Sequence, residues 1–215
     1  SADIILLSRD LDVLRQGVED GRRTFANTLK YISITTSANF GNMISMALAT
    51  PLLPFLPLAA KQILLNNFLS DLPSLAISSD NVDRERLSSP QRWQVSDIRK
   101  FMIVFGLISS VFDLLTFGVL LLVFRANETT FQTSWFMISL LTELAVVLVL
   151  RTRKPVFKSR PSGLLLASTI VVICATFAIP YLGTMTSAFG FTPPSLGLVA
   201  AMVAAVPRIH CLRDP

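Results

Sequence analysis

Residues 31–77 read YISITTSANFGNMISMALATPLLPFLPLAAKQILLNNFLSDLPSLAI and form two apolar segments joined by a proline-rich bend. Asn39 and Asn42 are three residues apart in the first segment, and Asn67 and Asp71 are four apart in the second. Residues with these spacings share one face of a helix. Polar groups inside a hydrocarbon layer usually face a bundle interior or a cavity that serves as a path for ions or substrates. We therefore expect the two polar faces of this hairpin to converge on a functional site.

The whole chain is strongly apolar. Its 215 residues are 52% hydrophobic and 15% charged, with a mean hydropathy of +0.59, which lies far from the composition of soluble domains. A helix needs about 20 apolar residues to cross a bilayer, and the sequence therefore predicts an all-α membrane protein, a bundle of five to six transmembrane helices. The predicted spans are residues 31–53, 58–77, 101–124, 135–150 and 163–182, followed by a shorter segment at 195–206 and a tail at 207–215.

Basic residues fall on one side of this predicted bundle. Of the 19 Lys and Arg residues, all but Lys61 and Arg125 lie before the first span, after the second or fourth, or in the tail. Short cytoplasmic loops carry such an excess, so we expect a multi-pass protein with a cytoplasmic amino terminus. Topology and lipid headgroups then account for the net charge of +5, and no nucleic-acid partner is needed.

Residues 1–30 predict the edge of a soluble domain followed by a stalk. Residues 4–7 are four apolar residues bounded by polar ones, which is typical of a buried strand. A lone strand needs a sheet, so we expect a remnant of an α/β domain. After Asp10, apolar residues at helical spacing among charges predict an exposed helix that runs directly into the first span. Such a helix could transmit motion into the membrane or be an ordinary juxtamembrane helix, and the spacing fits both.

Several stretches resemble one family. SADIILL and DLDVLRQGVEDGRRTFANTLKYI resemble the end of the phosphorylation domain of P-type ATPases and the stalk that leads into their fifth transmembrane helix. SANFGN resembles the ion-site segment of the fifth helix, and NNFLSDLPS that of the sixth. FGLISSVFDLLTFGVLL and FQTSWFMISLLTELAVVLVLRTRK resemble the seventh and eighth helices. Among P-type pumps the likeness is closest to bacterial magnesium-transporting ATPases, and it extends to about Pro194.

The resemblance implies the carboxy-terminal membrane half of a cation pump in the bacterial inner membrane, with Mg²⁺ as the transported ion. The 215 residues contain neither the DKTG motif of the phosphorylated aspartate nor the GDGxND motif. ATP would act only through domains outside this sequence, no catalytic residue is assigned, and the expected partners are membrane lipid and the amino-terminal part of the pump. The alternative is a non-catalytic remnant or stand-alone membrane subunit without transport activity. A small secondary transporter would predict an internal repeat, and none is visible.

The resemblance implies that Asp71 is the anionic metal ligand, because it matches the sixth-helix aspartate that P-type pumps use to bind cations. Pro73 removes a backbone donor two residues later, which can free carbonyl oxygens as further ligands. Mg²⁺ prefers oxygen ligands and keeps several waters, so one carboxylate with amides and water is sufficient. Asn67, one turn from Asp71, and Asn39 are predicted to be neutral ligands.

Three further residues are secondary metal-ligand candidates: Asn42, Glu143 and Asp113. Asn42 follows Gly41, which permits close helix approach, and its amide could serve helix packing instead. Glu143 lies near the middle of the fourth span and could be a ligand or half of a structural pair. For Asp113 we favour a structural role, because the seventh helix of the family is not a usual ligand donor. The resemblance implies that the polar loop 78–100 touches the phosphorylation domain, whereas its composition predicts a solvated loop with Trp93 at the membrane interface.

Overall fold

The structure is a computed structural model that describes residues 10–83, 87–88, 92–152 and 159–205. These residues form α-helices and no strand, which confirms an all-α fold for the described part of the chain. The helices are α1 (Leu11–Ala49), α2 (Ala60–Ala76), α3 (Val95–Gly118), α4 (Glu128–Leu150), α5 (Gly163–Ala178), α6 (Gly183–Phe189) and α7 (Leu196–Ala205). A π-helical turn extends α3 over Val119–Val123, and 3₁₀ turns follow α2 and α5. The strand predicted at residues 4–7 and the tail at 207–215 lie outside the described residues.

Helix α1 joins the predicted stalk and the first predicted span without a break. It has 39 residues, which corresponds to a length of about 60 Å. Asp10 caps it, since its carboxylate accepts a hydrogen bond from the backbone N–H of Asp12 at 2.9 Å. The first turns are exposed and burial begins near Ala26. This confirms an exposed helix that continues into the bundle, and we call residues 11–30 the stalk.

Three helices are long and apolar enough to cross a membrane by length and composition: Val95–Val123, Glu128–Leu150 and Gly163–Tyr181. The expectation of five to six spans is therefore not confirmed. Helix α2 has only 17 residues, and the part of α1 after the stalk carries Asn39, Asn42 and several hydroxyl side chains that lower its hydropathy. α7, which holds the sixth segment, has 10 residues. Polar residues that line a path through a membrane protein lower the hydropathy of the helix that carries them. The polar residues that predict a site on α1 and α2 therefore also weaken the evidence that these helices span the membrane.

Helix α4 is the centre of the bundle. Of its most apolar window 67% is buried, compared with 28% for α3 and 33% for α5. Aromatic side chains fill the space around it: the ring of Phe117 on α3 packs edge-on against Trp135 with centroids 4.7 Å apart, and against Phe131 at 5.1 Å. The helix begins at Glu128, ahead of the predicted span at 135–150, because Asn127 caps it by accepting from the N–H of Thr130 at 2.9 Å. A central helix can present side chains to all its neighbours.

Helices α1 and α3 cross at two glycines. A Cβ atom on Gly41 would lie 3.1 Å from the carbonyl oxygen of Gly106, and one on Gly106 would lie 2.5 Å from the Phe40 ring. The hydroxyl of Ser110 lies 3.1 Å from the carbonyl oxygen of Gly41 and 2.9 Å from that of Gly106. Small residues let membrane helices approach to this distance. The predicted role of Gly41 in close helix approach is confirmed.

Replacing Gly41 with alanine should destabilise the bundle. The new methyl group would meet the Gly106 backbone, which cannot rotate away, so we expect a loss of about 1–3 kcal/mol in the free energy of unfolding. Thermal unfolding in detergent micelles, followed by circular dichroism, measures the change.

The matched control is Gly118→Ala, because a Cβ atom there meets nothing within 4 Å. That variant should be neutral or more stable by up to about 1 kcal/mol, since alanine favours a helix over glycine. Equal effects of the two variants would contradict the close crossing.

Candidate cation site

A small cavity lies between α1, α2 and α4, and three of the predicted ligands line it. Asn39 comes from α1, Asp71 from α2 and Glu143 from α4. The cavity has a volume of about 20 Å³, which is room for about one water molecule. The remaining lining residues are Ile34, Thr35, Ala38, Ser70, Ser74, Leu144 and Val147. The structure thus brings together residues that are far apart in sequence and rich in oxygen atoms.

Helical spacing explains why the polar groups of α1 and α2 meet. Thr35 lies four residues before Asn39, so both face the cavity from one side of α1. Ser70 directly precedes Asp71 on α2, and Ser74 follows Asp71 by three residues. None of these three hydroxyl residues was among the predicted ligands, although Thr35 and Ser74 have helical spacing from Asn39 and Asp71. They add neutral oxygen atoms to the wall of the cavity.

Asn67 is placed differently from the other predicted ligands. It is exposed and does not line the cavity, whereas its neighbour Asn66 is buried with 3% of its surface accessible. Among the residues that the structure describes, the Oδ1 atom of Asn66 has no hydrogen-bond partner. Asp71 and Asn39 also have exposed surface on the outer side of the cavity. The structure therefore leaves one polar side of the α1–α2 pair uncovered.

Asn42 connects α1 to α4. Its Nδ2 atom donates a short hydrogen bond to Oε1 of Glu143, and its Oδ1 atom accepts one from the hydroxyl of Ser139 at 3.4 Å. Both partners lie on α4. Asn42 is thus held by the central helix and does not line the small cavity, which agrees with a packing role for its amide.

Asp113 is buried on α3 and held by two neutral donors. The Ser45 hydroxyl donates to its Oδ2 atom at 2.6 Å, and the Trp135 Nε1–H donates to Oδ1 at 3.2 Å. Because these donors come from α1 and α4, Asp113 joins the three helices. This geometry supports the structural interpretation of Asp113.

Glu143 lies between two cavities. Besides the small one, it lines a larger cavity of about 380 Å³ between α1, α3 and α4, which Asp113 and Asn42 also line. Glu143 shares the larger cavity with Asp113 and the smaller one with Asp71. Within the described residues, no three His, Cys, Asp or Glu side chains are close enough together to hold a metal ion. A cation here would depend on one or two carboxylates with amide, hydroxyl and water oxygens.

A buried ion cluster lies at the end of the bundle where the stalk leaves it. The carboxylate of Asp80 contacts Nζ of Lys30 at 3.2 Å and Nη1 of Arg151 at 3.3 Å, and the side chains of all three are at most 2% exposed. The sequence analysis placed Asp80 in a polar loop and assigned it no role. Another part of this loop packs on the stalk, since Trp93 lies 6.4 Å from the Phe25 ring between centroids.

We expect Asp113→Ala to destabilise the fold. It would leave the buried Trp135 N–H without an acceptor, which costs about 1–3 kcal/mol. Asp113→Asn keeps an acceptor oxygen and should cost less than about 1 kcal/mol. Urea unfolding monitored by Trp135 fluorescence in a Trp93→Phe background measures both changes.

The control is Asp20→Ala, which removes an exposed carboxylate that pairs with Arg23 on the same helix. It should change stability by less than about 1 kcal/mol. If Asp113→Ala were as mild as this control, the hydrogen bond to Trp135 would contribute nothing to the fold.

The chain is similar to known cation-transporting ATPases. The sequence profile of the family "Cation transporting ATPase, C-terminus" matches residues 55–209. The chain is 47% identical to "Magnesium-transporting ATPase, P-type 1" of Escherichia coli over 186 residues, which is 84% of this chain and 21% of the relative. A protein of the same description from Salmonella typhimurium is 39% identical over 99% of this chain and 24% of the relative. The chain therefore spans about a fifth to a quarter of the length of the curated relatives it matches.

Proposed function

Because the chain belongs to the family of cation-transporting ATPases, whose carboxy-terminal region it matches over residues 55–209, we propose that it carries part of the transmembrane path for Mg²⁺ in a P-type pump. The observation that supports this most is the cavity to which Asn39, Asp71 and Glu143 contribute from three helices. Identities of 39% and 47% to proteins described as magnesium-transporting ATPases support the choice of ion.

In this proposal Asp71 is the anionic ligand and Asn39 a neutral one. Glu143 supplies a second carboxylate to the same cavity. Asn67 is a ligand only on the outer side of α2, where it is exposed together with Asp71. Asn42 orients Glu143 through its hydrogen bond. Mg²⁺ suits this set, because it takes oxygen ligands and is often held by one or two carboxylates and several waters.

Asp113 contributes indirectly in this proposal. Its two carboxylate oxygens are engaged by Ser45 and Trp135, so we assign it the task of holding α3 against α1 and α4 behind the site. A ligand role would require at least one of these hydrogen bonds to be shared with the ion. We therefore expect a change at Asp113 to lower the stability of the fold more than the affinity for the cation.

The uncovered side of the α1–α2 pair is the proposed contact with the rest of the pump. A charged side chain facing the centre of a bilayer costs about 2.5–3.5 kcal/mol on insertion scales, and Asp71 is exposed in this chain. Further helices on this side would remove that cost and complete the coordination. ATP hydrolysis would reside in sequence beyond these 215 residues, and lipid would surround the remaining faces.

The membrane topology in this proposal has five to six spans and a cytoplasmic amino terminus. Single cysteines at Ser78 and Gly183, both exposed, should react with a membrane-impermeant maleimide from opposite sides. The background is Cys174→Ser with Cys211→Ser, and lysed cells provide the control for total reactivity. Labelling of both positions from the same side would overturn this topology.

Asp71→Asn should weaken Mg²⁺ transport while leaving membrane insertion intact. The suitable protein is a chimaera in which this chain replaces the carboxy-terminal fifth of the Escherichia coli relative. The variant removes the charge but keeps the shape, so we expect the Mg²⁺ concentration for half-maximal transport in proteoliposomes to rise about tenfold or more.

The matched control is Asp20→Asn on the exposed stalk, which should leave that concentration unchanged. An Asp71→Asn chimaera with unchanged affinity and rate would show that Asp71 is not a ligand. An unmodified chimaera that inserts and binds ATP but moves no Mg²⁺ would favour the alternative of a membrane subunit without transport activity.

A further inference from the structure

The geometry points to Asp80 as a positioning residue: the buried cluster of Lys30, Asp80 and Arg151 fixes the register of α1, α2 and α4, and thereby the level at which Asn39, Asp71 and Glu143 meet. This inference rests on the proposed function for its consequence, but the register itself can be tested without any cation.

Asp80, which follows α2, forms hydrogen bonds with α1, with the end of α4 and with the residue before α5. Its carboxylate accepts from Lys30 on α1 at 3.2 Å, from Arg151 at the end of α4 at 3.3 Å, and from the backbone N–H of Ser162 at 3.1 Å. Its backbone carbonyl accepts from the Nδ2 atom of Asn27 on α1 at 2.9 Å. The start of α5, the ends of α2 and α4, and the stalk are therefore held at one point.

The spacing along α1 and α2 connects this cluster to the cavity. Lys30 and Asn39 are nine positions apart on α1, and Asp80, which follows the 3₁₀ turn Ile77–Ser79, is nine positions after Asp71. Because the two helices run in opposite directions, these similar spacings place the two pairs at corresponding levels, about 14 Å apart along α1. A slip of the ion pair by one turn would move the two predicted ligands out of alignment by the same amount.

The central helix follows the same spacing. Eight residues separate Glu143, which lines the cavity, from Arg151, which contacts Asp80. Arg151 is held in turn by the loop before α5, since its guanidinium donates to the carbonyl oxygens of Ser159 and Arg160. Each of the three helices thus carries one of the predicted ligands Asn39, Asp71 and Glu143, and a residue of the ion cluster lies eight or nine positions away along the same segment.

An apolar layer separates the two levels. Ile34, Ala76, Ile77, Val147 and Leu165 form a buried cluster, and four of them lie along α1, α2 and α4 between the ion cluster and the cavity. Apolar side chains of similar size can pack in more than one register. Separating a buried ion pair, in contrast, leaves each charge buried without a partner, which is strongly destabilising. The charges therefore select the register that the apolar layer alone does not specify.

Disulfide cross-linking of the full chain in membranes tests the register. In a Cys174→Ser, Cys211→Ser background, Thr35→Cys should cross-link with Ser74→Cys, which lies at the same level, in preference to Ser70→Cys, one turn away. All three positions line the cavity. Disulfides need Cα atoms within about 7 Å, so adding Asp80→Asn should lower this preference about threefold or more.

The matched control is Asp97→Asn, an exposed carboxylate in the first turn of α3, which should leave the preference unchanged. If Asp80→Asn does not fold, Arg151→Lys keeps the positive charge but loses the fork that reaches the loop carbonyls, and it should lower the preference in the same direction. A general loosening of the bundle would change both cross-links equally. An unchanged preference in a folded variant overturns the inference.

A second readout separates this inference from the proposed function. Mn²⁺ serves as a paramagnetic probe for Mg²⁺ binding, measured in the chimaeric pump by the loss of the free-ion signal. If the register shifts in the Asp80→Asn variant and its Mn²⁺ affinity falls about tenfold, both proposals gain support. If the register shifts but the unmodified pump binds no Mn²⁺, the register role stands and the cation site is wrong. If the pump binds Mn²⁺ and Asp80→Asn changes neither register nor affinity, the cation site stands and the positioning role is wrong.

Discussion

The high cost of an unpaired polar group in a hydrocarbon layer governs this structure. Hydroxyl side chains in the bundle bond back to carbonyl oxygens of their own helices, as Thr169 does to Leu165 and Thr176 to Val172, both at 2.7 Å. The carboxylate of Asp113 takes donors from two neighbouring helices. Hydroxyl groups are therefore satisfied by their own helix, whereas the carboxylate of Asp113 needs donors from neighbouring helices. Buried polar groups of this second type determine which helices pack together.

The same requirement divides the polar groups into two kinds. One kind is paired inside the chain, as in the buried ion cluster around Asp80 and the hydrogen bonds around Asp113. The other kind lines cavities or faces outward, as Asp71 and Asn39 do. A carboxylate without a strong internal partner is the one that can exchange its surroundings for an ion, so the second kind is where transport chemistry is expected.

Helical spacing in the sequence predicted the polar faces of α1 and α2, and the structure places Asn39 and Asp71 on one cavity. It could not decide between Asn66 and Asn67, because consecutive residues differ by about 100° around a helix and the inward direction depends on the neighbours. The four-residue spacing from Asp71 favoured Asn67, whereas Asn66 is the buried one. The sequence pattern therefore predicts that α2 has a polar face, but it does not determine which of two consecutive residues points inward.

The cluster around Asp80 was beyond the reach of local patterns. Its partners Lys30 and Arg151 are 50 and 71 residues away in sequence, and a lone aspartate after a helix is indistinguishable from a solvated loop residue. The five predicted spans show the opposite limitation. Hydropathy identifies helices that are apolar over most of their length, as α3, α4 and α5 are, but α1 and α2 present polar residues and fall short of that signal.

The uncovered side of the α1–α2 pair constrains what can lie against it. Met43 and Phe68 are 71% and 64% exposed there, on the same helices as the exposed Asn39 and Asp71. Contact with lipid would be favourable for the apolar side chains but unfavourable for the carboxylate. Contact with water would be favourable for the carboxylate but unfavourable for the apolar side chains. A neighbouring helix that is apolar along most of its length, but offers oxygen ligands or a bound cation at the level of Asp71, satisfies both. The composition of this surface thus specifies a partner of the same mixed character as α2 itself.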